Sequence, residues 1–449
     1  RERRINMDSL QQKAEQEEKQ LVRVSTVFRK NIESAKTDWR AIQKGLKQGE
    51  AAIEFLTFYY FDKTRFTDSV LYAALILKEE SEEPEQVILF EEKQLDSLMQ
   101  VKSGNSINNI NQFYSHKNAL LYKLLWSVID KKLENIHTVY FSPIGLLHKI
   151  SFAAIPVKEN VLLSDKYKLV ELNSTKDLLD RSIQKIIPVD SLLLYGGIAY
   201  DADSVKLKNI TGYADTRVKN NSKGKFTNAV EMSWNYLPFT KTEVETINKA
   251  GMTKHYNIKV ISDEYATEES LKSLDGDRSP VVLHIATHGY FFPDQKEEKD
   301  EKSRNAFKSA ADPLFRSGLF FAGAYYTWAK GISVNGMEDG IATAYEISNM
   351  YLPNTKLCVL SACETGLGDL YGSEGVFGLQ RAFRIAGVKY LVMSLWKVPD
   401  TETAEFMTIF YNNIFNQQTI PEAYYAAQHL MKKKYRDNPF KWAAFILVR

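Results

Sequence analysis

Two apolar runs in this sequence each arrive at a reactive side chain. One reads Val281-Val282-Leu283-His284-Ile285-Ala286-Thr287-His288-Gly289 and the other Leu357-Cys358-Val359-Leu360-Ser361-Ala362-Cys363-Glu364-Thr365-Gly366. A cysteine attacks as its thiolate, and an imidazole beside it both lowers the thiol pKa and returns the proton to a leaving amine. One Cys and one His therefore suffice for thiol-dependent cleavage of an amide. Gly289 directly follows His288, where a missing side chain lets a backbone N–H approach a developing oxyanion, and the N–H of Cys363 is the natural second donor. His288 and Cys363 are 75 positions apart in the chain, so only the fold can bring them together.

In an open α/β sheet, ligands sit outside the carboxyl ends of the strands. His288 and Cys363 stand where their runs stop, whereas His284 and Cys358 lie inside the runs and read as core residues. After Cys363 a glycine-rich stretch, 364–375, leads into a helix expected over about 373–386. Upstream, 51–61 and 69–78 read as paired strands. Between about 84 and 187 strands (86–90, 137–141, 168–172) alternate with helices such as 119–133, which predicts a βαβ sheet. The alternation restarts at 192–197 and continues through 256–261, the two opening runs and 390–396. The expected organisation is a helical extension over 1–48, a first sheet-containing half over 49–187 and a second over 188–449. Within the extension, residues 8–48 read as one long helix, because Leu21, Val24, Phe28, Ile32, Ala35, Trp39, Ile42 and Leu46 recur at steps of three and four, with Gly49 ending it. The chain opens on Arg1 and is expected to continue upstream.

Composition narrows the function. With 58 basic residues against 56 acidic ones, net charge +2, and both signs interleaved, the surface lacks the one-signed footprint of a nucleic-acid binder. No apolar run approaches the roughly 20 residues of a membrane span. Two cysteines five residues apart on one apparent strand exclude a disulfide framework and point to a reducing, cytoplasmic setting. His284 and His288 have zinc-protease spacing, but on a strand and without the intervening Glu, so no metal is expected. Glycines 366, 368, 372 and 375 lack a following Gly-Lys-Ser/Thr, which removes a nucleotide cradle, and no cofactor is implied. Two polar stretches, 201–233 and 294–312, interrupt the second half; the second is expected to overhang the site or to be a solvated loop.

The same residues carry a resemblance to a known family. The runs into His-Gly at 288–289 and Ala-Cys at 362–363 resemble the two signatures of the caspase and separase clan of cysteine peptidases, and the chain is most similar to CHAT-domain peptidases, which follow tetratricopeptide repeats. The matching words are FSPIG at 141–145, ISFAAIP at 150–156, LPF at 237–239 with Glu243, RSGLFFAGA at 316–324, DGIATAYEI at 339–347, CETG at 363–366, GLQRAF at 378–383, SLW at 394–396 and WAAF at 442–445. They span about residues 42–449.

The resemblance implies a caspase-like α/β fold with a mostly parallel sheet flanked by helices, its first half a catalytically silent copy of the second and the leading helix the tail of a repeat array. It implies peptide-bond hydrolysis with Cys363 as nucleophile, His288 as base and then acid, and Gly289 with Cys363 as the oxyanion hole. Separases place an acid after the leucine-tryptophan strand and accept arginine. By likeness, Asp400 with Glu364 and Asp369 would favour a basic P1 side chain; the alternative is that Asp400 caps a helix starting near Thr401. The expected partners are a protein or peptide substrate, gasdermin-like by analogy with bacterial defence systems, and a regulatory partner on the upstream helical region. A non-catalytic peptide-binding scaffold and a small-molecule acyl hydrolase remain the competing readings.

Overall fold

The computed structural model describes residues 38–100, 106–116, 120–180, 190–203, 207, 236–292, 313–330, 337–361, 363–364 and 373–449. In chain order the strands are β1 (Glu50–Phe61), β2 (Phe66–Lys78), β3 (Glu85–Glu91), β4 (Thr138–Ser142), β5 (Pro156–Lys158), β6 (Val161–Leu162), β7 (Lys168–Glu171), β8 (Leu192–Ile198), β9 (Ile258–Asp263), β10 (Val282–Ile285), β11 (His288–Phe291), β12 (Ser317–Phe320), β13 (Ile341–Thr343), β14 (Leu357–Leu360), β15 (Cys363–Glu364), β16 (Tyr390–Ser394) and β17 (Phe445–Val448). Five helices matter below: α1 (Trp39–Gly45), α2 (Pro238–Met252), α3 (Ser373–Ile385), α4 (Asp400–Phe415) and α5 (Ile420–Lys434).

Strands from both sides of residue 188 form one eleven-stranded sheet, ordered β3-β2-β1-β4-β7-β17-β16-β14-β10-β8-β9. Pairing is parallel except at β1–β2, β2–β3 and β16–β17. The central strands β8, β10 and β14 are buried along their whole length. That explains why they read as continuous apolar runs: helices cover a parallel sheet on both faces, so no residue can be polar and wet. The α/β fold class, with a large mostly parallel sheet flanked by helices, is as the sequence implied.

Two local expectations are corrected. The described part of the leading helix, α1, runs only from Trp39 to Gly45, with Asp38 accepting a hydrogen bond from Ala41 N at 3.0 Å and Leu46 turning extended. Its end therefore lies before Gly49, and residues 8–37 of the expected helix fall outside the described residues. The span 119–133 is not one helix but two short ones, 120–125 and 127–130, separated at Trp126, whose indole is fully buried. Ala119 and the polar stretches at 208–233 and 294–312 lie outside the described residues.

A second sheet, β13-β12-β11-β15, stands beyond the carboxyl ends of the central strands. Its β13 edge is pinned from beneath. Glu268, almost wholly buried, accepts hydrogen bonds from Gly340 N (2.9 Å) and Ile341 N (3.1 Å). Lys272 Nζ joins Glu268, Glu338 and Glu346 at 2.7–3.0 Å. The three carboxylates are thus gathered around an ammonium, which supplies the charge a metal ion would otherwise bring. No described helix is long and apolar enough to cross a membrane.

Candidate active site

The main-sheet strands β10 and β14 stop at Ile285 and Leu360. After a two-residue step each chain pairs again, as β11 and β15 of the small sheet, and there His288 is the register partner of Cys363 and Gly289 that of Glu364. Adjacent strands lie about 4.8 Å apart, so the two backbones that carry the expected nucleophile and base are neighbours. The run 281–289 was expected to be a single strand with His288 at its exit. Instead it breaks at Ala286-Thr287, and His288 opens a new strand.

Side chains hold that break. Thr287 Oγ1 donates to the carbonyl of Phe320 in β12. Its remaining capacity is to accept, which makes the buried Tyr200 hydroxyl the donor across the 3.0 Å between them. The same hydroxyl accepts the His288 backbone N–H at 3.2 Å, and the two rings lie 4.8 Å apart at 51°. Tyr200 thus fixes both the backbone and the ring plane of His288. Gly289 is buried, and an added Cβ would stand 3.3 Å from the Gly318 carbonyl oxygen. Close approach of β12 is therefore one reason for glycine here, beside any role of its N–H.

Behind the half-buried His288 lies a buried polar cluster. His284 is fully buried; Tyr411 Oη is 3.0 Å from its Nδ1 and Glu243 Oε1 is 3.2 Å from its Nε2. Burial and the nearby Glu243 push the Tyr411 hydroxyl well above its ordinary pKa, so it stays protonated. Ser361 Oγ donates to the other Glu243 oxygen at 3.0 Å. His284 is the core histidine its mid-strand position suggests, and Cys358 is equally enclosed, with burial holding its thiol well above the usual range.

A small cavity of about 110 Å³ opens beside these groups, and His288, Thr287, Glu243, Ser361, Lys397 and Asp400 all line it. Asp400 is the first residue of α4, with Pro399 in the capping position and no side-chain cap bond. The expectation that Asp400 caps this helix is corrected: it lies inside the first turn. Burial, then the Glu243 charge, raise its pKa, and Lys397 opposes them. Of the other acids expected at the pocket, Glu364 is placed in β15 by its backbone and Asp369 lies outside the described residues.

Three contributors escaped sequence reasoning. Tyr200 and Ser361 carry no chemical signature of their own, and Glu243 was visible only as part of a motif word. Each matters through contacts more than 80 positions away in the chain. The single available signal was the placement of Glu243 near the start of α2, aimed back at the sheet.

Residues 117–449 match the CHAT domain. The chain belongs to the CHAT-domain family. A stretch of 113 residues, 25% of this chain, is 29% identical to tetratricopeptide repeat protein 28 of Homo sapiens, and a stretch of the same length is 28% identical to its Mus musculus counterpart. In both cases the match spans 4% of the relative's own length. Among solved structures, the Arg-specific cysteine proteinase gingipain R is similar over 79% of this chain and 68% of its own, with 9% identity and a TM-score of 0.39. The Saccharomyces cerevisiae separase–securin complex is similar over 91% of this CHAT chain and 30% of that one, with 9% identity and a TM-score of 0.43.

Proposed function

We propose that this CHAT protein is a cysteine endopeptidase in which Cys363 attacks the scissile carbonyl and His288 serves as base and then as acid. The observation that supports it most is the register pairing of His288 with Cys363 on adjacent parallel strands. Residues in register belong to one face of the pleat. In the proposed cycle the thiolate adds to the carbonyl, the N–H groups of Gly289 and Cys363 stabilise the oxyanion, and the imidazolium gives its proton to the leaving amine. Water then releases the acyl group with His288 as base. Tyr200 positions the imidazole.

Asp400 and Glu243, on one cavity with His288, support selection of a basic P1 side chain, with Glu364 and Asp369 as further acids from the adjoining segment. The substrate in this reading is a specific intracellular protein, cleavage is governed by a partner on the upstream helical region, and bacterial defence is the setting. Domain roles follow the same reading: 188–449 cleaves, 49–187 is a silent sheet-bearing half, and 1–48 is the end of a repeat array.

A peptidyl acyloxymethyl ketone bearing P1 arginine tests the assignment. It should label Cys363 and spare Cys358, and His288→Ala should abolish labelling. Equal modification of the two thiols would make the cleft a peptide-binding scaffold instead. Identification of new amino termini in a proteome treated with the wild type and with Cys363→Ala then names the substrate.

A further inference from the structure

The two parts of the large sheet meet at a narrow seam. β17 pairs with β7 through one register pair, Val448 with Glu171. On one side of that seam, beneath α5, lies a cavity of about 520 Å³, and a second of about 320 Å³ adjoins it; Glu171, Lys168, Glu422, Tyr425 and Leu447 line both. Neither shares a residue with the cavity beside His288.

Glu171 is 9% exposed, and its carboxyl has no hydrogen-bond or ion-pair partner among the described residues. Most of the donors around it are committed elsewhere. Tyr424 Oη donates to the Phe445 carbonyl at 2.7 Å and Tyr425 Oη to the Leu169 carbonyl at 2.8 Å. Lys432 Nζ is held by Asp165 at 2.9 Å, and Lys166 by Asp130. Arg449 Nη2 donates to the carbonyls of Asp177 and Asp180, while its buried Nε makes no hydrogen bond among the described residues. Glu422 accepts from both groups of Thr419. Lys168 is exposed, with its ammonium over the Tyr425 ring at 5.7 Å, and His429 is exposed on α5. Burial alone pushes the Glu171 pKa up to about 8. A carboxyl so placed carries an unmet demand for a donor.

We propose that this seam cavity binds a small organic cation, an amine or guanidinium whose charged head pairs with Glu171 and whose flat or aliphatic body lies against Tyr424, Tyr425 and Phe152. The volume suits such a molecule, since ligand pockets run from about 300 to 1,000 Å³. At neutral pH the carboxyl must ionise to form the pair, so binding releases a proton, which passes to buffer. The site is independent of the proteolytic reading.

Calorimetric titration of the full chain with tyramine and with agmatine, alongside 4-hydroxyphenylacetate, tests it. Both amines should bind at millimolar concentration or below and raise the melting temperature, and the carboxylate should not. Glu171→Gln should weaken amine binding by about tenfold or more. The heat in phosphate should differ from that in Tris by the ionisation heat of the released proton. Failure of both amines to bind, equal affinity in Glu171→Gln, or buffer-independent heat would overturn the proposal. If Glu171→Gln does not fold, the wild-type proton release decides alone. Binding only of a basic peptide, with neither amine bound, would also overturn it in favour of a protein-docking groove.

Discussion

Glu243 Oε1 stands 3.2 Å from Nε2 of His284, both side chains buried, while the other Glu243 oxygen accepts from Ser361 Oγ. One carboxylate thereby brings α2 against β10 and against Ser361, the residue that follows β14, on the two segments that go on to His288 and Cys363. Removing one member of a buried polar cluster leaves its partners unsatisfied, at a cost of about 1–3 kcal/mol each. Glu243→Ala should lose stability on that scale in urea denaturation. Glu243→Gln keeps the shape and the Ser361 contact, so it should fold; its readout is a weaker preference for basic over neutral P1 residues in a fluorogenic panel. An unchanged preference would confine Glu243 to a structural role.

Tyr200→Phe removes the acceptor of the His288 N–H and the donor to Thr287 while keeping the ring packed on the imidazole. Stability should fall by about 1–2 kcal/mol. If Tyr200 positions the base, kcat should drop about tenfold with KM little changed. A loss confined to melting temperature would show that it only braces the strand break.

Asp400 shares the cavity with His288, and burial with the Glu243 charge raises its pKa. Selectivity for arginine at P1 should therefore be present at neutral pH and be lost on acidification at a higher pH than an ordinary aspartate would give. Asp400→Ala should remove both the selectivity and its pH dependence. Unaltered Arg, Lys and Leu preferences in that variant would displace the pocket from Asp400.

Glu171 offers a test of stability without any ligand. Its folded pKa, about 8, exceeds the ordinary 4.5, so the folded chain binds more protons than the unfolded chain between those values. Stability should accordingly fall as pH rises from about 5 to 8. Glu171→Gln should remove this slope and gain on the order of 1–3 kcal/mol near pH 8. A chemical-denaturation series across that range measures it, and equal slopes in the two proteins would contradict the assignment.

Sequence patterning made the strands legible because burial on both faces leaves an uninterrupted apolar word, as in 192–198 and 357–360. The backbone pairing of His288 with Cys363 was within reach of the sequence because each residue lies just beyond such a word. The break at Ala286-Thr287 was not, since its cause is a hydrogen-bond chain through Tyr200 and Phe320, residues far off in the sequence. Nor was the insertion of β17 between β7 and β16: an isolated four-residue strand carries no local sign of its neighbours. The helix expected over 119–133 is interrupted at Trp126, whose backbone leaves helical geometry with φ −132°, which an apolar stripe does not reveal.

The strand that joins the two parts of the sheet follows both of its neighbours in chain order: β17 occupies residues 445–448, after β7 at 168–171 and β16 at 390–394. During synthesis, β7 and β16 must each wait as an open edge, unable to complete the ladder, until that late segment leaves the ribosome. The two parts can collapse separately beforehand. Their union waits for residues 445–448 to be made, and a chaperone that shields bare strand edges would find its longest opportunity there.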